Sequence, residues 1–203
     1  MLPVMLICVL CFCMVLKYKL RTIESKEKQQ TEELIRLERK ASLPIKRDMS
    51  SLTFISVPIA NLPFKEDIPA KAASYQNTIK ELSTEKICNL SGLTNTDLKI
   101  KYGAGNLNEL MEYDQNYTLL IRTLADWGTW LYENQFTKDA QIVLEYAKAC
   151  NSDIRKNYAT LAKIYKSQEQ YDKIYDLIHF VEPLCKNIDL KKAIYDVIND
   201  YEV

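Results

Sequence analysis

Residues 124–140 read LADWGTWLYENQFTKDA and residues 158–174 read YATLAKIYKSQEQYDKI. The two stretches share almost no letters, yet when residue 124 is laid on residue 158 their side-chain types agree. Leu124 aligns with Tyr158, Trp127 with Leu161, Gly128 with Ala162 and Leu131 with Tyr165; beyond a short polar turn, Ala140 aligns with Ile174, Leu144 with Ile178 and Ala147 with Val181. Positions three and four apart share one face of an α-helix, so each unit carries two apolar stripes on two consecutive helices. A lone helical hairpin cannot bury both stripes. Stacking several hairpins side by side can, and this is why such a period repeats.

A helix-turn-helix unit of this period, with this order of large and small apolar positions, resembles the tetratricopeptide repeat. Gly128, Ala140 and Ala147 occupy the small positions of the first unit, and Leu161, Ala162 and Tyr165 the first-helix positions of the second. Ile174 and Val181 depart from the pattern, as do Ser152 and Lys186 where a proline often ends a unit. The repeats span about 121–154 and 155–188, with Thr137 and Ser152 as suitable N-caps and a closing helix over 189–201. Two hairpins need upstream partners, which Pro69 followed by AKAASYQNTIKEL and the stretch NLNELMEYDQNYTLL supply. A short helix from Asn95 ends at Gly103. The expected fold class is all-α: a TPR-like solenoid over 69–203, preceded by an extended segment and an N-terminal transmembrane helix.

Outside the repeats the charges are unevenly placed, although 27 basic and 27 acidic side chains cancel overall. Residues 1–16, MLPVMLICVLCFCMVL, carry no charged side chain; residues 17–47 hold ten Lys/Arg against five Glu. The rest of the chain is net acidic. The apolar run, extended through residue 20 with Lys17 and Lys19 snorkelling, reads as a membrane anchor. A cleaved signal peptide fits less well, because no basic region precedes the run and no small-residue cleavage site follows it. Lys17, Lys19 and Arg21 after the span place the domain in the cytoplasm. Residues 21–48 form a basic helical stalk, and residues 49–68, with Pro58 and Pro63, an extended strap across the helical domain. Cys8, Cys11 and Cys13 read as small apolar side chains of the anchor; Cys88, Cys150 and Cys185 show no spacing of a disulfide framework or zinc site. Together these features fit a bacterial single-pass protein.

Conventional chemistry is sparse. Gly103 and Gly105 lack the strand and the Gly-Lys-Ser/Thr of a phosphate loop and read as a turn. His179 is the sole histidine and has no nucleophile or metal ligand at working spacing. An enzyme would need an unconventional site around Tyr113, Asp114 and His179, so no catalytic residue, metal or cofactor is expected. The acidic domain argues against nucleic acid. The sequons at Asn89 and Asn116 matter only outside the cytoplasm.

The resemblance implies a binding groove along the first helices of the hairpins. Its positions here are Arg122, Ala125, Thr129 and Tyr132, then Lys156, Ala159, Lys163 and Lys166. Four cations among them suit an acidic peptide or a C-terminal carboxylate, although the asparagines of carboxylate-clamp members are missing. The expected function is a membrane-anchored scaffold or adaptor that binds a protein or peptide partner. The rival is an exported, membrane-tethered structural part of an envelope or surface apparatus.

Overall fold

A computed structural model describes residues 45–184 and 189–199, with isolated positions between 14 and 39. From residue 45 onward the described residues form seven α-helices: α1 (Ala70–Leu82), α2 (Asn95–Tyr102), α3 (Leu107–Glu133), α4 (Thr137–Ala149), α5 (Arg155–Ser167), α6 (Tyr171–Leu184) and α7 (Asp189–Asn199). No β-strand occurs among them, so the all-α class holds. The expected anchor (1–20) and most of the stalk lie outside the described residues. Among those described, no helix is long and apolar enough to cross a membrane.

The chain divides into two compact units. One combines the described residues up to Ser50 with Gly92–Asn108. Its α2 opens on a reciprocal capping box between Thr94 and Asp97, which also holds the Asp97 carboxyl below its usual range. It closes at Gly103, whose φ of +87° suits a residue without a side chain. A Cβ there would stand 2.0 Å from the Ile45 carbonyl oxygen. The GAG stretch is therefore a point of close backbone approach as well as a turn. Asn106 fixes the arrangement by donating to the carbonyls of Arg47 and Tyr102 at 2.8 and 2.9 Å.

The other unit holds Ser51–Ser91 and the chain from Glu109 onward. Two of its helix ends and two of its helix starts recur at one spacing. α3 ends at Glu133 and α5 at Ser167, while α4 starts at Thr137 and α6 at Tyr171; both pairs are separated by the same step that carries residue 124 onto 158. The turns match atom for atom: Gln135 and Glu169 have positive φ (66° and 58°), Phe136 N donates to Leu131 O, and Gln170 N donates to Tyr165 O, both at 2.9 Å. These are Schellman-type closures, in which glycine is the unstrained choice. Replacing Gln135 or Glu169 by Gly is expected to raise stability by about 1 kcal/mol each, reduced somewhat by glycine's unfolded-state freedom. Urea unfolding checks this; destabilisation by both would contradict the observed turns.

Burial follows the aligned pairs. Both members of every pair are buried except at Leu144 and Ile178, where Leu144 is sealed and Ile178 is only half-buried, Leu177 being sealed instead. Full burial of each large side chain contributes roughly 1.5–3 kcal/mol. Gly128 lets α3 and α4 close together, since a Cβ there would meet Leu144 Cγ at 2.5 Å. α5 then packs on α4, α6 and α7.

The extended segment behaves as a strap. Ile55 N donates to Ile87 O at 2.8 Å beside an isolated antiparallel bridge between Phe54 and Cys88. Val57 and Leu62 enter the core, Phe64 lies against Trp127 with ring centroids 5.4 Å apart, and Tyr146 donates to Ser56 O. Lys65 pairs with Asp139 at 2.6 Å while lying over the Phe136 ring. Its path is extended because Pro58 and Pro63 forbid a helix, leaving only a 3-10 turn at Ile59–Asn61.

Three local details bear on these expectations. α3 is one unbroken helix of 27 residues that runs through residue 121; its earlier turns bury Leu110, Tyr113 and Tyr117. Thr137 and Ser152 are not N-caps. Phe136 and Ile154 occupy those positions without side-chain capping bonds, and the Ser152 hydroxyl accepts from Ile154 N in a turn before α5. The closing helix α7 is described as far as Asn199, and residues 200 and 201 of the expected helix lie outside the described residues.

Candidate binding clefts

The eight groove positions do not form one surface. Ala125 and Thr129 are buried: the Thr129 hydroxyl donates to Ala125 O at 2.7 Å and lies 3.4 Å from the Thr160 hydroxyl. Helix α3 turns this face towards α5, so neither side chain meets solvent. Ala159 is half-buried. The other five are divided between two clefts.

Arg122 and Lys156 line a cleft of about 580 Å³ with Thr118, Asp153 and Arg155. Its cations are largely answered by acids of the same unit. Lys156 pairs with Asp126 at 3.2 Å, and Arg155 with Asp196 at 3.0 Å. Such exposed pairs contribute little stability, but they lower the cleft's attraction for an incoming anion.

Tyr132, Lys163 and Lys166 line a second cleft of about 750 Å³, closed by Ser167, Glu169, Tyr171 and Val197. Lys166 donates to the carbonyls of Val197 and Ile198 at 2.8 and 2.7 Å. These carbonyls belong to the last described turn of α7. Lys166 therefore ties α5 to α7. Lys163, one turn earlier and exposed, has no ion pair within 4.0 Å among the described residues.

Adjoining this cleft is a slot of about 170 Å³ lined by Ile174, Tyr175, Ile178 and Ile198, with Lys166 and Tyr171 common to both. Its lining is almost wholly apolar. Sequence reasoning assigned Ile174 and Ile178 to the core by analogy with Ala140 and Leu144, and missed Tyr171 and Tyr175. The signal was present. Two tyrosines four apart at the start of a helix, flanking its buried stripe, are 63% and 64% exposed.

Tyr113, Asp114 and His179 line none of these clefts. His179 is exposed, stacks edge-on against Tyr175 at 4.4 Å and lies 3.3 Å from Glu182. Glu182 also accepts from Lys191, which holds its carboxyl below the usual range and links α6 to α7. Tyr113 donates to Glu109 and accepts from Lys86 at 3.2 Å; burial raises the phenol pKa, and the bond to Tyr113 raises that of the Lys86 ammonium. Neither shift moves a group towards neutral pH, where a general acid or base works best. Asp114 accepts from Leu90 N at 3.2 Å, a local structural bond. No metal-binding group of His, Cys, Asp or Glu exists among the described residues. Cys88 and Cys150 are buried free thiols with raised pKa values.

Three other titrating groups bear on stability. Tyr117, Tyr146 and Tyr165 are raised well above the ordinary phenol range, in each case chiefly by burial. Tyr117 donates to the carbonyls of Cys150 and Asn151, Tyr165 to Glu145. A folded-state pKa above the unfolded value gives stability that is complete below about pH 10 and lost as pH rises beyond it. Stability should therefore fall on the alkaline side, with phenolate absorbance from these residues appearing only upon unfolding. Phenolate formation by all tyrosines in a still-folded protein would contradict their burial.

The chain matches no family model, and comparison with curated proteins and with solved structures gives no match.

Proposed function

We propose that this chain is a scaffold of tetratricopeptide-like hairpins, tethered to a membrane through residues 1–20, that holds a protein or peptide partner at the cytoplasmic face. The observation that carries this reading is the cleft shared by Tyr132, Lys163 and Lys166. Three of the residues that the repeat pattern assigns to a groove meet there, on a wall built by successive hairpins. Lys163 offers an ammonium group without a described counter-ion, and Tyr132 and Tyr171 offer amphipathic rings suited to a peptide backbone. The repeated turns at Gln135 and Glu169 support the resemblance, because they reproduce the period in backbone geometry as well as in composition. The apolar run of residues 1–16 and the basic flank behind it support the tether and its orientation.

A photoreactive amino acid at position 163 of the full chain, irradiated in isolated membranes, tests the reading. Ile142, exposed on α4, is the control position. A discrete adduct from 163 and none from 142, both recovered in the membrane pellet, is expected. Indistinguishable products from the two positions would remove the cleft as the binding surface, and recovery in the soluble fraction would remove the tether.

A further inference from the structure

The slot beside the cleft exists because the second hairpin is covered differently from the first. In the first hairpin Ala140 and Leu144 are completely sealed, with α5 packed on α4. In the second, α7 occupies the corresponding place, beginning at Asp189 one full period after α5 begins at Arg155. It buries Ala193, Ile194 and Val197. Ile178 and Ile198 remain only half-buried and face a common hollow with Ile174 and Tyr175. At about 170 Å³ the hollow is close to a cavity of about 150 Å³ that accepts benzene. It thus has room for one aromatic ring or branched aliphatic side chain.

The slot and the cleft meet at Lys166 and Tyr171, and Lys163 precedes Lys166 by less than one helical turn, a rise of roughly 5 Å. An apolar anchor point therefore adjoins an exposed ammonium group. Lys163 is the exposed cation of this lining, Lys166 being bonded to the α7 carbonyls, and Glu169 is the one acid among its described residues. Charge complementarity selects an acidic ligand, and the small apolar volume selects a single side chain over a whole helix face.

We infer that slot and cleft form one two-part recognition surface for a peptide that carries a bulky apolar side chain within a few residues of a carboxylate. The inference rests on the scaffold reading above and deepens it by stating the ligand. The apolar side chain enters between Ile174, Ile178 and Ile198, Tyr171 and Tyr175 flank the peptide, and its carboxylate meets Lys163.

The test is selection of a displayed library of randomised short peptides on the full chain in detergent, followed by binding of the enriched peptides to variants. Lys163→Glu and Tyr175→Glu alter exposed side chains and leave the core intact; Ile142→Glu is the control. Enriched peptides should pair Trp, Phe, Leu or Ile with a nearby Asp or Glu. Each of the first two substitutions should weaken them about tenfold, and the control should not. Peptides lacking either element, or indifferent to both substitutions, would overturn the inference. Binding lost only in Arg122→Glu would overturn it while leaving the scaffold reading in place, and failure to enrich any peptide would overturn both. Self-association abolished by Tyr175→Glu would assign the slot to a second copy and overturn it as well.

Discussion

Trp127→Ala is expected to lower the free energy of unfolding by about 3–5 kcal/mol, the largest effect of any single truncation in the hairpin core. Trp127 is fully buried and joins two parts of the unit: it belongs to the inner stripe of α3, and Phe64 of the strap lies on its ring. Truncation would leave a cavity under the strap as well as within the hairpin. Its indole N–H has no partner among the described residues, which itself costs about 1–3 kcal/mol. Trp127→Phe removes that orphan donor along with part of the ring, so its cost should be less than half that of the alanine variant. Urea unfolding gives both values, and limited proteolysis reports the strap, whose residues 51–64 should become cleavable in the alanine variant alone. A cost below about 1 kcal/mol for alanine would mean that the indole does not bridge strap and hairpin as described.

Gly128 and Leu144 supply the second large effect. Alanine is the better helix former by about 1 kcal/mol, so Gly128→Ala would stabilise an exposed helix. Here the added methyl group would stand 2.5 Å from both Cγ and Cδ2 of a sealed leucine. Overpacking of this kind costs about 1–3 kcal/mol, and the net change should be destabilising. Leu144→Ala alone should cost about 2–5 kcal/mol through the cavity it leaves. In the double variant the new methyl group occupies part of that cavity, so the two losses should fall short of their sum by about 1 kcal/mol or more. Strict additivity in this cycle would show that α3 and α4 do not meet at this pair.

How much of this was legible beforehand depends on how local each determinant is. The hairpin period could be read because burial of stripes at three- and four-residue spacing depends only on helix geometry, and Leu124, Trp127, Tyr158 and Leu161 announce it wherever the helices lie. The strap could be read from Pro58, Pro63 and their apolar neighbours for the same reason. The turns could not. Left-handed residues are signalled by glycine, and Gln135, Asn151 and Glu169 hold that conformation with ordinary side chains because the packed helices on either side over-determine it. Thr137 and Ser152 misled in the opposite direction: residues suited to capping stand near helix starts where the backbone does not use them.

The charges of the groove show where local reading stops. Four cations on one face of the first helices look like a ligand surface, yet Lys156 meets an aspartate 30 positions earlier and Lys166 meets carbonyls 31 and 32 positions later. No helical spacing reveals such partners. The slot is subtler still, since Ile174 and Ile178 carry the same pattern as the sealed Ala140 and Leu144. Ile174 is buried like Ala140, and only the helix packed above each pair leaves Ile178 half-buried where Leu144 is sealed. The helical class, the apolar stripes, the strap and the uneven charge were all written in the chain, because they follow from local sterics and hydrophobicity. Which lysine stays available, which tyrosines are exposed and where a hollow remains were settled only by folding, because accessibility and ion pairing belong to neighbours that are distant along the chain.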